Sequence, residues 1–449
     1  MEGPQVRSGV PGDAPYVPVA VVGGGACGLT AALRLADYGV ECVVLERDAA
    51  PAGSTALSSG FIPAPGTRAQ KASGITDSAQ QFAADIQAKA KGTAAPHLVA
   101  AYTETIAPAL DTLQQRHGLA FELLDGFLYP GHTRRRMHTL AQRTGAALVD
   151  ALEAAATRAG ALLLTRALVR ELWCDAEDRV LGIGCERPDG RTERLACRVL
   201  LLACNGFGGN PSMVREWLPE MRDAVFAGHA GNDGSAITWG RALGARLADM
   251  AACQGHGSWA LPQGALITWA LMTEGGVQVN AQGRRFHDET LGYSEASVQV
   301  LAQPGGAAWN VFDARLLALA RGFPDFVAAE DAGAVREAAT IAQLALHIGC
   351  DASTLADTLA TTRLQAPYRA IKVTGALFHT QGGLDIDAHA RVLRTSGAPL
   401  PNLLAAGGAA RGVSGRAIWG YLSGNGLLSA VAGGFIAARS AVQQLEVGR

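Results

Sequence analysis

Gly23, Gly25 and Gly28 close the apolar run Val19-Ala20-Val21-Val22, and alanines and leucines at helical spacing follow Cys27. That is the pattern of a buried parallel strand turning sharply into a helix whose first N–H groups, around Ala26 and Cys27, face a pyrophosphate. Leu29 to Tyr38 reads as the helix, Gly39 closes it, and Val40 to Leu45 is a second apolar strand ending in Glu46 and Arg47. An acid at that point, 18 residues beyond Gly28, accepts hydrogen bonds from the ribose hydroxyls of an adenosine. Strand, glycines, helix, strand and acid together specify a nucleotide site; a glycine-rich turn with a surface Glu is the bland alternative. The uncharged stretch Ala52 to Ile62, with Ser54, Thr55, Ser58, Ser59 and Gly60, either lets backbone approach a flat ring or forms a plain polar loop.

Positioning these groups takes more than one core. A chain of 449 residues predicts two domains, or one domain with a large insertion. Met1 to Pro15 is expected to be a disordered tail, 16–250 and 381–449 a discontinuous nucleotide-binding domain, and 251–380 a second domain inserted into it. Strand-then-glycine patterns recur at Leu201 to Gly209 and at Leu403 to Gly408, and Gly424-Asn425-Gly426 opens a last apolar helix to about Leu445. Between them the character changes: from Met250, Trp and Thr enter with turns at Gly275-Gly276 and Asn280 to Gly283, and alanine-rich helices fill Arg315 to Ala360. Gly231 to Gly234 opens another helix with Asp233 as its cap. Helices are also predicted over Ala79 to Ala90, His97 to His117 and Gly145 to Ala159.

Composition excludes several classes. A net charge of -2 leaves no basic surplus for nucleic acid. No apolar stretch reaches the length of a membrane span, and Met1 to Pro15 lacks the segments of a signal peptide, so a cytoplasmic protein is expected. The 8 cysteines are scattered, without metal or disulfide spacing, and read as small core residues in a reducing compartment. Arg134-Arg135-Arg136 with His138 could hold an anion but reads as a solvated turn.

Taken together, these motifs resemble the flavoproteins related to fumarate reductase, succinate dehydrogenase and 3-ketosteroid Δ1-dehydrogenase. The resemblance runs from about Val17 to the C-terminus and adds Asn280-Ala281-Gln282-Gly283-Arg284-Arg285-Phe286 and His379-Thr380-Gln381-Gly382-Gly383 to the motifs above. It implies an α/β fold: a Rossmann-like FAD-binding domain of the glutathione-reductase type, with an α+β capping domain. It implies FAD held by Gly23, Gly25, Ala26, Cys27, Gly28, Glu46, Arg47, Ser54, Thr55, Ser58, Ser59, Gly60, Val169, Asn205, Gly206, Gly408, Ser423, Asn425, Gly426 and Leu427. Some members attach FAD through a histidine in the segment matching Ser54 to Phe61; none stands here, so FAD is expected to be non-covalent. The last helix is expected to offer its N-terminus to negative charge on the reduced ring.

The resemblance also implies site residues. His256, Thr268, His379 and Arg416 match the set that holds substrate carboxylates in fumarate reductases. The proton relay of those enzymes has no match: Trp269 and Met272 stand at its Glu and Arg, and Tyr293 at its acid arginine. A tyrosine there resembles the ketosteroid dehydrogenases, in which Tyr takes a proton beside a ketone as hydride leaves for flavin N5. Tyr421 and the backbone near Gly424 then match the donors to the ketone oxygen. Arg416 or a charged His256 would lower the pKa of Tyr293. Arg284 and Arg285 are expected to brace their turn. The leading expectation is an FAD-dependent oxidoreductase acting on CH–CH groups, desaturating a small ketone or keto acid such as an oxocyclohexane carboxylate. The alternatives are reduction of an enoate resembling fumarate or urocanate, and a flavin redox sensor without turnover. Electrons would pass to oxygen, a quinone or a carrier protein.

Overall fold

The computed structural model describes residues 3–124 and 126–447. Two compact units emerge: residues 1–213, 228–253 and 379–449 form the first, and residues 214–227 and 254–378 the second. The second therefore recruits Val214–Ala227, a stretch placed by sequence in the nucleotide domain; Val225–Phe226 joins its sheet alongside Tyr368–Thr380.

The first unit is built on a nine-stranded sheet. Tyr16–Val22 lies parallel to Cys42–Leu45 on one side and to Thr192–Leu202 on the other, and Pro399–Ala405 continues the parallel set. The register pairs Val22 with both Leu45 and Leu202, and Leu202 with Ala405, so these four strands end level. Their carboxyl-terminal ends are buried on both faces, which is why the runs there read as unbroken Val, Leu and Ala. Leu168–Cys174, Val180–Glu186 and Thr192–Leu202 form an antiparallel meander whose second turn is Pro188-Asp189-Gly190. Gln5–Ser8 adds a parallel edge strand on Leu168–Cys174, and Pro11 is buried. The expected disordered tail is thus overturned from Gln5 onward: its backbone N–H and C=O groups find partners in the open sheet edge. Met1 and Glu2, like Gly448 and Arg449, lie outside the described residues.

Helix Ala26–Asp37 follows the glycine turn and packs on the last helix, Asn425–Val447. The contact is close because Gly434 has no side chain: a Cβ there would sit 2.3 Å from the Cys27 carbonyl oxygen. At Gly28 a Cβ would lie 2.0 Å from the Gly23 oxygen, so this glycine serves helix–strand packing.

Arg136 corrects the reading of Arg134 to His138 as a solvated turn. Arg134 and Arg135 are exposed, but Arg136 is 1% exposed. Its Nε donates to Asp77 at 2.9 Å and its Nη1 to Asp85 at 2.6 Å, over the Phe82 ring. Nη1 also reaches His132 Nδ1 at 3.0 Å. A guanidinium only donates, so Nδ1 accepts and Nε2–H donates to the Ser423 carbonyl at 2.9 Å. The buried ion cluster thereby holds the turn that leads into the last helix. His138 is buried too, bonded to Thr67 and to the Arg136 carbonyl.

The second unit has its own six-stranded sheet, with Tyr368–Thr380 at its centre between Ala307–Phe312 and Val225–Phe226. Short helices such as Ala314–Ala320 and Ile341–Ile348 cover it, giving the α+β character and a separate core that includes Trp269, Met272, Phe312 and Phe326.

Candidate active site

In the first unit a cleft opens at the level carboxyl ends of the parallel strands. Of the residues expected to hold FAD, Gly23, Gly25, Ala26, Cys27, Glu46, Arg47, Ser54, Thr55, Val169, Asn205 and Gly408 line it. The strand ends explain this placement, since in a parallel sheet ligands bind outside the carboxyl edge.

The polar groups of the cleft are already oriented. Glu46 is buried; Oε2 accepts the Gly24 N–H at 2.8 Å and Oε1 the Asp48 N–H at 2.9 Å, which leaves one lone pair on each oxygen for ribose hydroxyls. Ser54 Oγ accepts from Asn205 Nδ2 at 2.9 Å and from Asn232 Nδ2 at 2.8 Å, so its own O–H remains to donate to an oxyanion. Thr55 Oγ1 accepts the Ala26 N–H at 3.1 Å, so that amide is committed, while the Thr55 O–H remains a donor. Asn205 has φ +64° and its Oδ1 accepts the Gly206 N–H, a left-handed turn that places both side-chain ends. Arg47 is exposed and bonds the Gly231 carbonyl at 3.1 Å. These acceptors and donors fit the ribose and pyrophosphate of an FAD.

Sequence reasoning missed Asn232, which it read only as part of a capping turn, and also Trp239 and Ala430, all in the cleft; Cys204 and Gly407, also there, lie in the strand-then-glycine motifs already noted. Asn232 carried a signal, a polar amide between tight glycines; Trp239 and Ala430 carried none. The remaining candidates lie outside this cleft. Ser58 Oγ binds the Thr55 carbonyl at 2.7 Å, and Gly60, at φ +70°, packs where a Cβ would lie 2.7 Å from Thr144 O. The stretch around Ser54, expected as a loop, contains a helical turn at Gly53–Ala56. Ser59 is half-buried, Leu427 lies in the core, and Gly424 takes φ +87° against Pro63.

A second group gathers at the N-terminus of the last helix. The His379 and Tyr421 rings meet edge-on with centroids 5.8 Å apart. A Cβ on Gly426 would lie 2.7 Å from His379 Nε2 and 3.7 Å from the Tyr421 hydroxyl, so the missing side chain makes room for both. Burial holds the His379 imidazole below its ordinary value. Arg416 is exposed, its backbone N–H on Thr93 Oγ1 at 3.4 Å. Arg411 nearby in sequence is committed to Asp249 at 2.6 Å and to Asp385 at 3.3 Å.

Within the second unit, Tyr293 opens helix Tyr293–Leu301 and stacks on His256, with centroids 4.8 Å apart and planes 20° from parallel. His256 is buried; its Nδ1 accepts the Ser258 N–H at 3.1 Å, which leaves the proton on Nε2. Burial pushes its pKa down to about 3. The expectation of a charged His256 beside Tyr293 is therefore overturned: among the described residues no counter-charge offsets the loss of water. Trp269 also meets His256 edge-on and donates Nε1–H to the Glu289 carbonyl. Met272 is 2% exposed in the core. Thr268 is half-buried, and its hydroxyl accepts the Ala270 N–H at 3.3 Å. Arg285 forks onto buried Glu289, which also accepts the Gln278 N–H at 2.8 Å, so Arg285 braces its turn; Arg284 is exposed.

Buried neutral histidines make the protein acid-sensitive. His132 is held at about 4, by burial first and then by the Arg136 charge, and His256 at about 3. Both folded values lie below the unfolded value near 6.5, so the unfolded chain binds more protons below that pH. Their contribution is complete above pH ~6.5 and is lost as pH falls toward the folded values. Urea midpoints should be flat with respect to these two groups from pH 7 to 8 and fall between pH 6 and 4. His132→Gln should flatten part of that fall.

Comparison with known proteins agrees with this geometry. The family model described as FAD binding domain matches residues 18–427. A probable fumarate reductase of Shewanella frigidimarina is 26% identical over 95% of this chain and 74% of its own length. The 4-oxocyclohex-2-ene-1-carboxylate 5-dehydrogenase of Sinomonas cyclohexanicum is 23% identical over 94% of this chain and 93% of its own. The solved 3-ketosteroid-Δ4-(5α)-dehydrogenase of Rhodococcus jostii superposes with a TM-score of 0.78 at 25% identity, covering 97% of this chain and 99% of that one. Among the described residues no group of side chains is arranged to hold a metal, and no helix is long and apolar enough to cross a membrane. The chain belongs to the FAD binding domain family and is an FAD-dependent oxidoreductase, similar to fumarate reductases and ketosteroid dehydrogenases.

Proposed function

We propose that this protein desaturates a small ketone or keto acid at the carbons α and β to its carbonyl, with a cyclic oxo-carboxylate as the substrate class. The observation that carries this reading is Tyr293: a hydroxyl-bearing ring at a helix N-terminus, stacked on a neutral histidine, in a unit whose Trp269 and Met272 are core residues that cannot pass protons. FAD, when bound, supplies the acceptor for the hydride from the β-carbon. Tyr293 takes the α-proton on its phenolate oxygen. Tyr421, with backbone N–H groups at the start of the last helix, donates to the ketone oxygen as charge develops there. His379 and Arg416 of the first unit are assigned to the substrate carboxylate, as the resemblance implies. The resemblance to a dehydrogenase of an oxocyclohexene carboxylate supports the substrate class. Reduction of an enoate is the second reading, favoured by the fumarate reductase among the relatives.

Arg416→Ala tests the carboxylate assignment. Loss of a charge-assisted contact of about 1.5–3 kcal/mol should raise KM for carboxylated substrates roughly ten- to a hundred-fold and leave neutral cyclic ketones within about twofold. Equal effects on both would remove Arg416 from that role. Product analysis with a dye acceptor should show the enone; turnover of enoates alone, and only with a reductant, would overturn the direction.

A further inference from the structure

Behind His379 runs a chain of buried polar side chains, of which Asn425 alone was a candidate, as a flavin ligand. Gln381, Ser414 and Asn425 are 4%, 1% and 0% exposed. Asn425 Nδ2 donates to Ser414 Oγ at 3.0 Å, Ser414 donates to Gln381 Oε1 at 2.7 Å, and Gln381 Nε2 reaches His379 Nδ1 at 3.1 Å. All four residues belong to the first unit, and Asn425 is the first residue of the last helix.

The chain can be wired in two directions, because amide orientation and imidazole tautomer are coupled. In one, Gln381 donates to His379 Nδ1, each link has one donor and one acceptor, and only Asn425 Oδ1 is left without a partner. In the other, both amides are flipped, His379 Nδ1–H donates to Gln381, and the orphan at Asn425 is an N–H. A buried N–H without a partner is rarer and costlier than an under-used carbonyl oxygen. Competing with the first wiring is the Thr380 carbonyl, 3.2 Å from the same Nδ1, which would accept its proton in the alternative tautomer.

We infer that Gln381 and Ser414 are positioning residues that fix the tautomer of His379, so that Nε2 carries the proton at the N-terminus of the last helix. With Nδ1 occupied as an acceptor, Nε2–H stands in the space left by Gly426, beside the Tyr421 hydroxyl, as a hydrogen-bond donor. A neutral donor suits a carboxylate or carbonyl oxygen, whereas the opposite tautomer would present a lone pair to that oxygen and repel it. The substrate part of this inference rests on the function proposed above; the tautomer does not.

The test uses the full-length flavoprotein labelled with ¹⁵N at histidine, the His379 signals being identified by their loss in His379→Gln. Long-range ¹⁵N–¹H correlation should show the Nε2–H form in the native protein. Gln381→Glu replaces the donor with an acceptor and should reverse the ratio in favour of Nδ1–H by roughly tenfold or more. Gln381→Met and Ser414→Ala, which serve if the charged variant does not fold, should leave a mixture of both forms. An Nδ1–H form in the native protein, or an unchanged ratio in the soluble variants, would overturn the inference. If the ratio shifts and KM rises for carboxylated substrates with kcat nearly kept, the relay and its substrate role both stand. If the ratio shifts while carboxylated and neutral substrates are affected alike, the relay stands and the proposed carboxylate role falls.

Discussion

Tyr293→Phe is expected to slow reduction of the bound flavin by a saturated substrate roughly a hundred- to ten-thousand-fold, the usual range for loss of a positioned base. The substitution removes one oxygen and keeps the ring, so the stacking on His256 at 4.8 Å should survive. Ligand affinity, read from the perturbation of the flavin spectrum by a non-reactive enone, should change by less than about threefold. The base must lose its own proton before it can act. Because His256 is neutral, the rate in the native enzyme should rise with pH without an inflection from His256 between pH 5 and 9. A Tyr293→Phe enzyme with native turnover would remove this residue as the base.

Arg136→Ala should unfold or severely weaken the first unit. Removing one partner of a buried ion pair costs about 3–5 kcal/mol, because the remaining charge has neither water nor a counter-ion. Here two carboxylates, Asp77 and Asp85, would be left facing each other's field, and His132 would lose the donor that orients it. Chemical denaturation should show the loss as a lower midpoint with an unchanged slope. The double variant Arg136→Met with Asp85→Asn should recover part of the stability, since fewer buried charges remain unpaired. If Arg136→Ala lowers stability by no more than a typical surface change, the cluster is not what holds the Ser423 turn.

How much of this was visible in the residue order follows from which forces are local. The glycine turn was legible because the strand, the spacing of Gly23, Gly25 and Gly28, and the helix are each set by neighbours within a few positions. Level strand ends made Ser54, Asn205 and Gly408 legible in turn, since each follows or faces such an end. Gln5–Ser8 was not, because its strand exists only through partners at Glu171 to Cys174. Arg136 was misread because charged residues are ordinarily solvated, and the carboxylates that make its burial tolerable lie 59 and 51 residues away. Gln381 sits in a recognised motif, but its use depends on Ser414 and Asn425, brought beside it by the turn before the last helix. The neutral state of His256 likewise comes from packing among Trp269, Tyr293 and Phe378, which no spacing in the chain announces.

The central claim, desaturation of a carboxylated ketone, is tested most directly by mixing the oxidised flavoprotein without oxygen against a panel of saturated cyclic ketones, oxo-carboxylates and the matching enoates while following the flavin absorbance. Bleaching by a saturated oxo-carboxylate, with about one equivalent of enone formed per flavin, is the predicted result. An oxidised enzyme that no saturated compound bleaches, and whose reduced form is reoxidised by enoates, would contradict it.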